Sequence, residues 1–138
     1  MPSILLVGTD HSLLEGLAQS LSAQGHGTRV AGSFGEAREL ATAHRPLIAV
    51  IEREMATESA RECLGLSLAS GGALVLYRSG AAKVGAMPHV LQRHVLADLA
   101  LPLERHRLSA LVQHVSDRAT AAGRGRISGE TRNTELAE

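Results

Sequence analysis

Leu47-Ile48-Ala49-Val50-Ile51-Glu52 is an unbroken apolar run that follows Pro46 and ends on an acid. A run this short reads as a β-strand buried on both faces, because a strand with one wet face would alternate apolar and polar residues. Ser3-Ile4-Leu5-Leu6-Val7 repeats the pattern and leads into the turn Gly8-Thr9-Asp10. Ala73 to Tyr77 and Val95 to Ala100 are two further apolar runs, whereas Thr28-Arg29-Val30-Ala31 is short and mixed, as an edge strand often is. Helix-like segments fill the gaps. Ser12-Leu13-Leu14-Glu15 reads as a capping box opening a helix that carries Leu13, Leu14, Leu17 and Leu21 on one side and stops at Gly25. Ser33 and Glu36 form a second box before a helix from Gly35 to Ala43, and Ser59-Ala60-Arg61-Glu62 forms a third before a helix to about Leu68. Between Ser79 and Arg93, Gly80, Gly85 and Pro88 weaken any helix, which predicts a short or kinked one. Leu103 to about Ala119 is amphipathic, with Leu108, Leu111, Val112 and Val115 on one face.

Five alternations of strand and helix imply an α/β fold, a doubly wound five-stranded parallel sheet in the order 2-1-3-4-5, of the flavodoxin-like kind. Reactive groups and ligands in such sheets sit at the carboxyl ends of the strands. Those ends are Gly8-Thr9-Asp10, Glu52, Tyr77 to Ser79 and Leu101-Pro102. The domain is expected to span residues 1–120. From Ala121 the sequence turns polar and glycine-containing, which predicts a linker or mobile tail over 121–138, with Asn133-Thr134-Glu135-Leu136-Ala137-Glu138 suited to a helical linker.

Composition excludes several functions. Fourteen Lys and Arg balance fourteen Asp and Glu, so there is no cationic excess with which to neutralise nucleic-acid phosphates. One Tyr and one Phe provide no stacking platform for single strands. No apolar run approaches the roughly 18 residues of a membrane span. Met1-Pro2-Ser3 lacks a basic start, and Ser3 to Val7 is too short for a signal-peptide core. A single cysteine, Cys63, forbids an internal disulfide and suits a reducing setting. A cytoplasmic protein is the expectation.

The chain from about residue 3 to 119 resembles the receiver domain of two-component response regulators. Pro46 to Met55 looks like that family's third strand, which ends in a phosphorylated Asp followed by x-x-Met-Pro; Met55 falls on the Met and Ala56 on the Pro. Leu101-Pro102 falls where the family has Lys-Pro. The resemblance implies a site whose reactive residues are replaced. Gly8 and Thr9 stand where an acidic pair would hold Mg²⁺, a hard cation that wants carboxylate oxygens, and Asp10 comes one place late. Glu52 replaces the phosphoacceptor Asp and sets its carboxylate one methylene too far out for in-line attack. Tyr77, or Ser79 if the alignment slips, takes the place of the hydroxyl after the fourth strand, and Leu101 that of the Lys. Only three aspartates exist, Asp10, Asp98 and Asp117, and the sole lysine, Lys83, lies 18 residues before Leu101. Asp98 stands near the family's fifth-strand aromatic.

Glu52 is either a built-in mimic of the phosphorylated Asp or a drifted polar residue. Asp10 belongs with the helix start beside a Ser12 cap rather than with a metal. Arg53 could pair with Glu52 or Glu54 at the surface, where such pairs are worth little. His89, His94, His106 and His114 have no ligand spacing that would make a metal site, and Cys63 suits a buried hydrophobe. No Gly-x-Gly-x-x-Gly follows the first strand. The expected function is a non-catalytic pseudo-receiver without cofactor or metal. It would dock a kinase, an output domain or a second copy through the family's face of fourth helix, fifth strand and fifth helix, here Pro88 to Ala119, with Pro88, Asp98, Pro102 and His106 on it. The alternatives are a receiver phosphorylated on Glu52 and a small-ligand binder using the strand-end crevice.

Overall fold

The structure, a computed structural model, describes residues 3–79, 87–102 and 104–133. Five strands, β1 (Ser3–Val7), β2 (Gly27–Ala31), β3 (Ile48–Glu52), β4 (Ala73–Ser79) and β5 (Val95–Leu101), form one parallel sheet in the order β2-β1-β3-β4-β5, as the alternation predicts. Around it lie α1 (His11–Ala23), α2 (Phe34–His44), α3 (Arg53–Glu58), α4 (Ala60–Leu64), α5 (His89–Gln92) and α6 (Arg105–Asn133). The sheet divides the core into two apolar layers. On one side Ile4, Leu6, Val50, Val75, Tyr77, Leu99 and Leu101 pack with Leu14 and Leu17 of α1 and Leu108 and Val112 of α6. On the other, Leu5, Val7, Ile51 and Leu76 pack with Phe34 and Ala37 of α2, Ala56 of α3, Cys63 of α4 and Leu91 of α5. Burial on both faces is why β1 and β3 read as continuous apolar runs.

Several local readings are corrected. The first helix opens two residues earlier than the Ser12 reading placed it. Asp10 is its N-cap, its carboxylate accepting the Leu13 backbone N–H at 3.1 Å, and Ser12 lies inside the first turn. Ser33 does cap α2, accepting from the Glu36 N–H at 3.2 Å, but Glu36 reaches back to the N–H of Gly32 (2.8 Å) rather than to the cap residue itself. Ser59 does stand at the N-cap position of a helix, α4, but makes no side-chain cap; that helix ends at Leu64 rather than near Leu68, and the short α3 precedes it. Pro88 precedes the short α5; residues 80–86, in the segment expected to hold a short or kinked helix, lie outside the described residues, as do Leu103 and residues 134–138. The last helix does not stop near Ala119 but runs to Asn133, across the change in composition at Ala121.

Strand β5 contains an irregularity that positions its side chains. Val95 pairs with Leu74, but the next partner of the sheet, Val75, pairs with Ala97, so Leu96 is an extra residue. A bulge of one residue reverses which face the following side chains take. Val95 accordingly packs with the α2 layer, while Ala97, Leu99 and Leu101 pack with the α1 and α6 layer. Leu96 is left exposed.

The caps give a direct test. Asp10→Ala should destabilise the domain by about 1 kcal/mol, the usual worth of an N-cap, and Ser12→Ala should lie within about 0.5 kcal/mol of the parent, as surface changes do. Urea denaturation monitored by circular dichroism measures both, and a larger loss from Ser12→Ala would contradict the Asp10 cap.

Candidate functional site

The carboxyl ends of β1, β3, β4 and β5 bring together Gly8, Thr9, Glu52, Tyr77 and Leu101. In register, Glu52 lies beside Tyr77 and Tyr77 beside Leu99. Strand alternation turns Tyr77 into the α1 and α6 layer, where it is 1% exposed and among the largest fully buried side chains. Its hydroxyl ends beneath Gly8. A Cβ on Gly8 would overlap the Tyr77 Oη and would come within 3.1 Å of its Cζ and 3.4 Å of Leu14 Cδ1. Glycine at position 8 is therefore a steric necessity, because the tyrosine occupies the space a side chain there would enter.

Thr9 is exposed, and its hydroxyl donates to both oxygens of the Glu52 carboxylate, at 3.1 and 3.3 Å. The two residues thus engage each other across the β1 and β3 ends. Asp10, next to them, is taken up by the α1 cap. Leu101 is fully buried in the apolar layer and is joined to Pro102 by a cis peptide. Burial pushes the Tyr77 phenol well above its ordinary range, and the nearby Glu52 and Asp10 carboxylates push it further in the same direction. The Tyr77 hydroxyl has no hydrogen-bond partner among the described residues. The Ser79 side chain lies outside the described residues. Beside Thr9 a shallow cleft of about 360 Å³ runs past Ser33, Phe34, Met55 and Ser59, and it bears on the small-ligand alternative.

Arg53 reaches well beyond its chain neighbours Glu52 and Glu54. It crosses β4 to Asp98 on β5, its Nη1 donating to Asp98 Oδ2 at 2.6 Å, and Arg78 of β4 stands 3.5 Å from the other carboxylate oxygen. Asp98 is therefore drawn towards the α2 face of the sheet. Of the residues assigned to the docking face, Pro102 and His106 are exposed, Pro88 is half-buried at the start of α5, and Asp98 is partly buried in this ion pair rather than displayed. Among the described residues Val90 and Leu96 are the large hydrophobic residues exposed there, and neither was singled out from sequence. Leu96 owes its exposure to the bulge, a signal no single-strand pattern carries.

Among the described residues no three His, Cys, Asp or Glu side chains gather as a metal site would require, and no helix is long and apolar enough to cross a membrane. Cys63 is buried and free, its thiol pushed up to about 11 by burial.

No protein-family profile matches the chain, and no curated protein sequence does. Solved structures do. A response regulator receiver domain protein from Clostridium thermocellum superposes with a TM-score of 0.69 at 15% identity, over 88% of this chain and 99% of that one. A CheY-like receiver domain protein from Methanospirillum hungatei JF-1 gives 0.67 at 19%, over 84% and 98%. A receiver-modulated diguanylate cyclase structure from Pelobacter carbinolicus gives 0.66 at 15%, over 89% and 98%. The fold is that of the response regulator receiver domains.

Two outcomes follow from the Gly8–Tyr77 contact. Gly8→Ala should destabilise the domain by about 1–3 kcal/mol, the range for overpacking. Tyr77→Phe, which removes the overlapping oxygen, should reduce that loss in the double variant; strictly additive losses in a denaturation cycle would contradict the contact. Tyr77 is also the single tyrosine in a chain without tryptophan, so tyrosinate absorbance reports on it alone. In the native protein it should not ionise near the ordinary value of about 10. Because the folded value is raised, the unfolded chain loses the proton first. Stability contributed by the protonated phenol is thus present below that ordinary value and is lost as pH rises above it. Native tyrosinate appearing at the ordinary pH would contradict the burial.

Proposed function

We propose that this domain is a pseudo-receiver: a non-catalytic member of the response regulator receiver family that signals by protein–protein contact without being phosphorylated. The observation that carries the reading is the side chain of Tyr77 beneath Gly8. The space where the first of the family's two metal-binding acids would stand is filled from within the core, so the loss of that acid is matched by a packed residue rather than by an open pocket. The rest of the site supports it. Glu52 is engaged by the Thr9 hydroxyl, and Leu101, in place of a lysine, is an element of the apolar layer.

On this reading the output passes through surfaces rather than chemistry. The face of α5, β5 and the start of α6, with Pro88, Pro102 and His106, is the proposed docking face for a kinase, an output domain or a second copy, and Asp98 supports that face from behind. The helix beyond Ala121 is the proposed linker, with residues 1–120 as the domain and the cytoplasm as its setting. The Pelobacter carbinolicus neighbour is a receiver-modulated diguanylate cyclase, which is the kind of arrangement a regulatory module of this fold would serve.

Acyl phosphate formation depends on charge neutralisation by a metal, on an in-line carboxylate and on a cation at the phosphoryl oxygens. Each lost electrostatic contact typically costs about 10²- to 10³-fold in rate, and losing three together should abolish the reaction even without strict additivity. Incubation with acetyl phosphate and Mg²⁺ followed by intact-mass spectrometry should show no phosphate adduct, and beryllofluoride should leave association unchanged. A stoichiometric, hydroxylamine-labile adduct on Glu52 would overturn the reading in favour of an atypical phosphorylated receiver.

A further inference from the structure

The partly buried ion pair between Arg53 and Asp98 lies behind the proposed docking face, and its two residues come from distant parts of the sheet. Arg53 is the residue immediately after Glu52, at the point where β3 becomes α3, whereas Asp98 lies in the middle of β5, with β4 between them. Their heavy atoms meet at 2.6 Å with only 14% and 23% of the side chains exposed. A short charge-assisted contact of this kind, shielded from water, is stronger than a surface pair. Strand β5 needs such a tie. It is an edge strand, with β4 as its sheet neighbour among the described residues, and its pairing is interrupted at Leu96. The bulge also makes the contact possible, since it sets Asp98 on the face opposite to Ala97, Leu99 and Leu101, the face that Arg53 and Arg78 share with Leu76.

We propose that Arg53 and Asp98 form an ionic latch that ties the Glu52 end of β3 to the edge strand β5, so that the freedom of β5 and its exposed face depends on where the Arg53 guanidinium lies. A contact that draws Arg53 away at the Glu52 end releases β5 at a distance; Arg78, at 3.5 Å from Asp98, is a secondary holder. The latch does not depend on whether Glu52 can be phosphorylated, so it stands or falls separately from the pseudo-receiver reading.

Amide hydrogen exchange on the intact chain tests it. Asp98→Asn keeps the side-chain shape and removes the charge. It should speed exchange in Val95–Leu101 about tenfold or more, as loss of a charged hydrogen bond from a locally opening element does, while β1 and β3 keep the parent rates. Arg53→Gln should reproduce the effect, and the double variant should go no further than either single one. Arg78→Gln should have the smaller effect. Unchanged β5 exchange in both single variants, equal acceleration throughout the sheet, additive effects in the double variant, or an Arg78→Gln effect larger than that of Arg53→Gln would each overturn the latch. If Asp98→Asn does not fold, Arg53→Gln against Arg78→Gln carries the comparison alone.

Discussion

Under Gly8 there is room for one side chain, and Tyr77 supplies it. The phenol enters from β4, passes through the layer that α1 and α6 cover, and ends where a residue at the tip of β1 would otherwise begin. A closely packed interior does not accommodate both, since core atoms cannot give way by more than a few tenths of an ångström without moving backbone. The neighbouring residues conform to that choice. Thr9, next along the chain, faces outward and holds Glu52; Asp10 is committed to the helix start; Leu101 closes the layer beneath. The chemistry of the strand ends thus follows from a packing decision taken inside the domain.

How much of this was legible beforehand depended on the range of the interaction. The fold was readable because its signals are local and repeated: Leu47 to Ile51 and Ser3 to Val7 are buried on both faces and read as such without reference to anything distant. The positions of Glu52, Tyr77 and Leu101 at the strand ends followed from the same alternation. What those residues touch did not. That Tyr77 fills the space at Gly8 depends on two strands separated by β3, and that Arg53 finds Asp98 depends on the register of β4 with β5. Even the local reading of Ser12 failed for a definable reason. Asp10 and Ser12 are both good caps, and the chain direction leaving β1 brings the earlier one into line with the Leu13 N–H.

The last helix shows composition and backbone diverging. The glycines and the loss of apolar periodicity were the basis for expecting a linker or mobile tail from Ala121, and Gly123, Gly125 and Gly129 each cost about 1 kcal/mol in a helix interior relative to alanine. The backbone is nevertheless helical from Arg105 to Asn133. Its first half is anchored by Leu108, Val112 and Val115 in the core, so the costly nucleation step is already met and each further residue adds only propagation.

The extra residue at Leu96 makes β5 tolerant of a change in length in a way that the rest of the sheet is not. A one-residue deletion inside a regular strand slips its register and exchanges the two faces of everything downstream. Deleting Leu96 would do neither: Val95 and Ala97 would become successive residues on the opposite faces they already occupy, still beside Leu74 and Val75, with Asp98 beside Leu76 and with Leu99 and Leu101 in the leucine layer. Descendants of this sequence are therefore free to lose residue 96 as well as to replace it. The length of the segment from His94 to Pro102 would drift where the lengths of β1 and β3 are held, and would be the poorer mark of common ancestry.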